Sequence, residues 1–471
     1  MMKRLLILPM LLFVCVVYAQ PRMLTLEECR QLALENNTNL LLAEQTAIKA
    51  NQTRLAALAN FFPEISATGN YFYSNAETNY TINGGYLPTF SPDLTTGKLS
   101  PNIVTIGGQP VYGSDGNPIF SSYAYMPDIS LNMKIGNIYC AAVMAKQPIF
   151  WGGKIISGYR MASAGTRLSN LNKKLTKDQI ILQSDEAYWN CLKAYEMLSV
   201  VESYYTTIEE FCRNMENAVN VGFKSSNDLM KVQVTLNEAE LNLLKVKNSL
   251  RLAKMNLCYI SGLPLSSEIE VSDVNINLHD EVSVQSNYDI SNRIEYQMLS
   301  QKIEMKREAV KVTRSDYLPH LGVQVSYGYL NGIQLNGSTL VDNANFMAVA
   351  SLSIPIFKWG EGRHSVKASY ADLRMAEIER EDAARKMTLE IEQTINQFKE
   401  AKLELQIAER SCAQAEENMR VSKNRYEAGT EPISNFLEAQ AQWQKSLSDA
   451  VNARMDLRLS YTRYLKAIGN L

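Results

Sequence analysis

Two hydrophobic periods alternate along this chain, one of about 3.5 residues and one of about 2. Leu198, Val201, Tyr205, Ile208, Cys212, Met215 and Val219 follow at spacings of 3, 4, 3, 4, 3 and 4, the seam of a coiled coil. Leu405, Ala408, Cys412, Ala415, Met419, Ser422 and Tyr426 keep that spacing with smaller side chains, so the second seam is expected to pack more closely. Helix breakers agree with the pattern. No proline occurs from Ile149 to Leu263, and Gly222 is the single glycine between Gly165 and Gly262. After Gly362 the glycines are Gly429 and Gly469 and the proline is Pro432. Since both residues disfavour helix interiors, these gaps predict a helix over about 155–221, a turn at 222–227 and a returning helix to about 260. The later copy repeats this with Pro432 in its first returning turn. At 1.5 Å per residue the first helix is roughly 100 Å long. Front helices are expected over 25–60, opened by the capping-box pair Thr25 and Glu28, and over 290–315.

The period of 2 appears between these helices. Leu321, Val323, Val325, Tyr327 and Tyr329 alternate with Gly322, Gln324, Ser326 and Gly328, and Ile65, Ala67, Gly69, Tyr71 and Tyr73 alternate with smaller or polar residues apart from Phe72. A third run spans 129–136 and a fourth 346–354, so four strands in two hairpins are expected. At about nine residues each, they have the length of a tilted membrane crossing. Phe61, Phe62, Phe150, Trp151, Tyr317, Phe357 and Trp359 bracket them. Such aromatics form interfacial girdles in barrels; the other reading is packing where helix meets strand.

Self-similarity organises these elements. Gln-Pro-Ile-Phe at 147–150 returns as Ile-Pro-Ile-Phe at 354–357, an offset of 207 that also relates Gly222 to Gly429, Gln233 to Gln440 and Gly262 to Gly469. A constant offset means no insertion or deletion, as a long periodic helix requires. Phe-Phe-Pro-Glu-Ile at 61–65 matches Tyr-Leu-Pro-His-Leu at 317–321 at a second offset of 256. The two offsets differ by 49 residues, which places an insertion in the first copy, rich in Pro, Gly, Asn and Ser and read as an exposed loop over 74–125. The chain then divides into a leader at 1–19, a first repeat at 20–263, a linker at 264–289 and a second repeat at 290–471.

The leader reads as a signal peptide: Lys3 and Arg4, an apolar run from Leu5 to Val17, then Val17-Tyr18-Ala19 before Gln20. That run is too short for a spanning helix, and no other apolar stretch is long enough, so insertion into a membrane must be by strands. The 47 basic and 49 acidic residues give no basic excess to point at nucleic acid. His279, His320 and His364 form no metal or nucleophile constellation, and no catalytic motif or cofactor site is present. Among the cysteines, Cys191 and Cys258 stand nearly equidistant from the Gly222 turn. They would face each other in a hairpin, as a disulfide or as two buried apolar positions; the second copy has Phe398 and Leu465 there.

Four strands cannot close a barrel, and an open edge in lipid costs several kcal/mol for each unsatisfied backbone group. Two chains would supply eight strands and three would supply twelve. With Gln-Pro-Ile-Phe-Trp-Gly-Gly-Lys at 147–154 and Tyr-Glu-Ala-Gly-Thr at 426–430, the doubled plan resembles the TolC family of outer-membrane efflux channels over essentially the whole mature chain. The resemblance implies an α+β membrane protein: a homotrimer with a twelve-stranded β-barrel in outer-membrane lipid and a long periplasmic α-barrel of helical hairpins. It also implies a periplasmic adaptor (membrane fusion) protein and an inner-membrane pump that supplies the energy. The helix turns at Gly222 and Gly429 then form the periplasmic tip. By the same resemblance Asp228 and Tyr426 fall at a closing link, and Asn435 and Glu438 fall at two acidic ring positions, of which Asn435 is neutral. Glu431 replaces a basic link residue and Lys224 stands at its pseudo-equivalent, which sets up a charge-reversed latch; an ordinary N-cap is the other role for Asp228. The expected function is a passive exit duct of a tripartite efflux or type I secretion system. The alternative is a periplasmic coiled-coil adaptor or structural protein without a channel.

Overall fold

The computed structural model describes residues 22–94, 97–272 and 288–471; the expected signal peptide and most of the expected linker lie outside them. In chain order the elements are β1 (Arg22–Leu24), α1 (Leu26–Asn36), α2 (Thr38–Ala59), β2 (Glu64–Ile82), β3 (Gly85–Pro88), β4 (Phe90–Pro92), β5 (Leu99–Pro101), β6 (Thr105–Ile106), β7 (Gln109–Pro110), β8 (Tyr123–Met126) and β9 (Ile129–Trp151). Then come α3 (Lys154–Asn220), α4 (Ser226–Ile260), β10 (Ile269–Val271), a 3-10 turn (Ile290–Asn292), α5 (Ile294–Ser315), β11 (His320–Leu335), β12 (Ser338–Ser353), α6 (Glu361–Glu427) and α7 (Ile433–Ala467). They fall into two units. A helical unit holds residues up to Ala57, Ile156–Arg314 and Gly360–Leu471, and a sheet unit holds Leu58–Ile155 and Ser315–Trp359.

In the helical unit α3 and α6 each have 67 residues and α4 and α7 each have 35. Each helix end in the first pair lies 207 residues before its counterpart in the second. The expected seams are buried or half-buried throughout, with Val201, Ile208, Cys212 and Met215 buried in α3 and Leu405, Ala415, Ser422 and Tyr426 in α6. The expected first front helix is broken in two. Asn37 is extended at φ −70°, ψ 122°, and its side chain accepts a hydrogen bond from the Asn39 amide at 2.9 Å, the local bond that lets asparagine compete with a helix. The capping box is present: Thr25 accepts from the Glu28 amide, and Glu28 accepts from the Thr25 amide at 2.9 Å. Strand β1 pairs in parallel with β10, Leu24 opposite Val271. This ladder joins a core of Leu24, Cys29, Tyr188, Cys191, Leu257 and Cys258, and the Tyr188 hydroxyl donates to the Ser272 carbonyl at 2.6 Å. Among the described residues no helix is long and apolar enough to cross a membrane.

The sheet unit contains one antiparallel four-stranded sheet in the order β12-β11-β9-β2. It is open, with β12 and β2 as its edges. Strands β2, β9, β11 and β12 run to 19, 23, 16 and 16 residues, well beyond the nine expected. The alternation stops near Tyr73 but the backbone ladder does not: polar Glu77, Thr78 and Asn79 remain paired with β9. The insertion is likewise no bare loop, since β2 extends into it as far as Ile82 and the rest folds as small ribbons, β3 on β8, β4 on β5 and β6 on β7. Ring contacts between Tyr86 and Tyr125 and between Phe90 and Phe120 line these ribbons.

Candidate functional site

The turns between the long helices are built alike. Gly222 and Gly429 have φ of +76° and +72°, the left-handed conformation that closes a helix without a side-chain penalty. The Phe223 amide donates back to the Ala218 carbonyl at 2.8 Å, and the Thr430 amide to the Arg425 carbonyl at 2.9 Å, the long-range bond of a Schellman end. A Cβ at either glycine would meet nothing within 4 Å, so backbone conformation alone selects glycine there.

The residues around the turns divide into three groups. Tyr426 is only 9% exposed and belongs to a cluster with Cys212, Met215, Val232, Ile433 and Phe436. Phe436 stacks on its ring at 5.8 Å, Phe211 meets it edge-on at 5.7 Å, and the Lys224 ammonium lies 4.4 Å from its centroid. This one tyrosine therefore fastens both helical hairpins together. Asp228 is the third residue of α4 and pairs with Lys231 at 3.5 Å. It is not the N-cap: Ser225 holds that place and accepts from the Asn227 amide at 3.1 Å. Asp228 still faces the positive end of the α4 dipole. Pro432 likewise sits at the N-cap of α7 rather than inside its first turn.

The expected latch is absent within the chain. Lys224 rests on the Tyr426 ring, and Glu431 accepts from the Ser422 hydroxyl at 3.0 Å. Glu431 Oε2 is buried with no hydrogen-bond partner. Asn435 and Glu438 are exposed one turn apart on α7, and the intervening Phe436 is buried. Their common face is open to solvent in the single chain.

Around the sheet, Phe150, Trp151, Phe357 and Trp359 are 50%, 37%, 68% and 90% exposed, so they are not packed in a helix–strand core. Trp151 stacks on His320 at 5.5 Å and Phe357 meets Trp359 at 4.9 Å. Trp359 occupies the left-handed region at φ +48°, and its counterpart at the 207 offset is Gly152 at φ +58°. At Gly152 a Cβ would fall 2.8 Å from the Ser315 carbonyl, so the first copy requires glycine where the second carries tryptophan.

Cys191 and Cys258 are both free and buried in one cluster with Cys29. The disulfide is therefore not formed, and the apolar reading of the two positions holds. Burial, the chief cause, pushes the Cys29 thiol up to about 12 and the Cys191 thiol to about 11. A buried clamp had no precedent in the sequence patterns: Asp185, fully buried on α3, accepts from Arg30 Nε at 2.7 Å and Nη2 at 2.6 Å, and from the Thr462 hydroxyl at 2.9 Å. It ties α1, α3 and α7 across 155 and 277 residues of sequence. A charged residue among Ala187, Tyr188 and Trp189 was the available signal.

Residues 290–470 match the outer membrane efflux protein family. Alkaline protease secretion protein AprF of Pseudomonas aeruginosa is 20% identical over 338 residues, covering 69% of this chain and 68% of AprF. Outer membrane protein TolC of Escherichia coli is 19% identical over 315 residues, 64% of each chain. By structure, the Campylobacter jejuni CmeC outer membrane channel superposes with a TM-score of 0.74 at 18% identity, covering 94% of this chain and 85% of CmeC. Vibrio cholerae VceC gives 0.71 at 14% identity, covering 94% and 96%. The second half of the chain is thus similar in sequence to the outer membrane efflux proteins, and nearly the whole chain has the fold of outer membrane channels such as CmeC and VceC.

Proposed function

We propose that the chain is the outer-membrane exit duct of a tripartite efflux or type I secretion system, gated at its helical turns. Three copies would each give four strands to a twelve-stranded barrel, with a periplasmic adaptor and an inner-membrane pump completing the assembly. The observation that carries the reading is the tip cluster, where Tyr426 joins both helical hairpins through Phe211 and Phe436. Hairpins fastened there move together or not at all, which suits a gate. Asp228 and Lys224 flank the cluster and are the candidate polar links. Three Glu438 carboxylates around an axis would repel one another and draw cations; with neutral Asn435 in place of a second acidic ring, that selectivity should be weak. A duct needs no specific pocket, so cargo choice rests with the pump.

The test is single-channel conductance of purified protein in planar bilayers, wild type against Asp228→Ala/Tyr426→Phe. The phenylalanine keeps the aromatic cluster and removes only the hydroxyl. A small wild-type conductance that rises in the double variant supports a closed tip. Absence of conductance in both, with the proteins folded and inserted, sinks the duct.

A further inference from the structure

The two hairpins of the sheet obey one register. In β2·β9, Glu64 opposes Lys146 and Tyr73 opposes Asn137; in β11·β12, His320 opposes Ser353 and Tyr329 opposes Ala344. Adding 256 to the first strand and 207 to the second converts one ladder into the other at all ten positions from Glu64 to Tyr73. The duplication seen in sequence is therefore also a duplication of hydrogen-bond pairing. Between the hairpins a third ladder runs from β9 to β11: Trp151 opposes His320, Phe150 opposes Leu321, Pro148 opposes Gly322, and Met144 opposes Ser326. This is the joint between repeat one and repeat two. Its counterpart would join repeat two to the next repeat one, and in a single chain that joint is missing. Its two sides are the sheet edges, β12 and β2, exposed along nearly their whole length.

We propose that β12 of one copy pairs antiparallel with β2 of the next in the register that the same offsets impose on the β9·β11 ladder. The proposal deepens the reading of the chain as part of a closed barrel and rests on it. Phe357 then opposes Ile65, Ala350 opposes Tyr71, Ser351 opposes Asn70, Ser353 opposes Thr68, and Lys358 opposes Glu64; Ile356 is passed over, as Ile149 is in the internal ladder.

Two features of the side chains favour this register although neither was used to derive it. The strands sort by face: Phe357, Ile354, Leu352 and Ala350 meet Ile65, Ala67, Gly69 and Tyr71 on one side, while Ser353 and Ser351 meet Thr68 and Asn70 on the other, where Pro355 meets Ser66. A slip of one residue would set apolar against polar along the whole joint. The joint also begins with opposite charges, Lys358 against Glu64, where the internal ladder has the Trp151–His320 stack. In the single chain Lys358 lies 5.2 Å from the Tyr317 ring centroid, so its stem already stands at this end of the sheet. Edge amides and carbonyls along the ladder gain partners, and in lipid each is worth several kcal/mol.

The experiment is disulfide trapping in membranes, with the half-buried Cys140 and Cys412 changed to serine. Asn70→Cys/Ser351→Cys places two thiols directly opposite across the joint, within the Cα separation a disulfide spans. Two strands lie between those positions inside one chain, a separation of about 14 Å, so a bond can form only between copies. Mild oxidation should convert the monomer band to a covalent ladder for this pair and for the second in-register pair, Thr68→Cys/Ser353→Cys. Asn70→Cys/Ser353→Cys, two residues out of register on the same face, should remain monomeric. A ladder from the offset pair alone overturns the register while leaving the closed barrel standing. If no pair forms a ladder but the unsubstituted protein is trapped as an oligomer by an amine-reactive cross-linker, the register falls and ring closure survives. If the unsubstituted protein is also monomeric in the membrane, the closed barrel falls with it.

Discussion

At the scale of single residues, the molecule depends on a few buried polar groups with well-defined partners. Asp185 has no access to water, and three bonds from Arg30 and Thr462 satisfy its carboxylate. In return the carboxylate holds the Arg30 guanidinium above its ordinary value. Arg30→Ala leaves a buried carboxylate short of its charge partner, a change that typically costs about 3–5 kcal/mol; it should lower the denaturant midpoint far more than Arg30→Lys. Glu308 is the titrating counterpart. Burial pushes its carboxyl up, but Lys311 and Ser157 outweigh burial and bring it below the usual value. A depressed carboxyl stabilises the fold above its unfolded pKa and gives that stability up as the pH falls through the folded value. Glu308→Gln should therefore narrow the loss of thermal stability between neutral pH and the acid range, measured by melting across that range. The cysteines make an opposite case, because Cys29 and Cys191 stay protonated at neutral pH and lie inside the core. They should resist alkylation in the native protein and react only on unfolding, whereas Cys412, half-buried on α6, reacts before them.

At the scale of elements, what could be read from the chain depended on whether a signal was local. The long helices were legible almost to their last residues, because glycine and proline punctuate them and a coiled-coil period fills them. The strands were under-read because their outer halves carry polar residues whose order comes from cross-strand bonds. The break at Asn37 was available in the run Asn36-Asn37-Thr38-Asn39, a cluster of turn formers, and was hidden by a capping box that marked one helix start. At the tip, the chain carried the turn glycines and the tyrosine plainly, but Lys224 found a ring where a carboxylate was expected. That difference has a consequence. If Lys224 acts through the ring, worth about 0.5–1 kcal/mol at an exposed site, then Lys224→Glu should raise leak conductance, Lys224→Arg should not, and Glu431→Lys should fail to reverse the first change. The turns themselves depend on their left-handed glycines, so Gly222→Ala or Gly429→Ala should cost about 1–2 kcal/mol each, read as earlier local exchange of the tip amides.

At the scale of the whole molecule, duplication explains why two such different units coexist in one chain. Each repeat supplies a helical hairpin that packs against the other's, and a strand hairpin that cannot satisfy its own edge; only the first need is met inside one copy. The insertion in the first repeat breaks the symmetry without touching that logic. Beyond Ile82, opposite Ile129, the ladder of the main sheet has ended, and β3–β8 pair among themselves. At the neck of the annex the Gly84 amide donates to the Asp128 carboxylate at 2.7 Å, which ties its two ends to each other. A structure that closes on itself contributes little to the elements below it. Replacing residues 83–128 with an Asn-Gly turn, which suits a two-residue hairpin closing Ile82 on Ile129, should leave membrane insertion, oligomer stability on unheated gels and conductance as they are. If the shortened protein inserts and assembles but conducts more, the annex narrows the outer mouth. If it fails to assemble although its helices fold, the annex takes part in closing the ring, and the two exposed edges of the sheet are not sufficient alone.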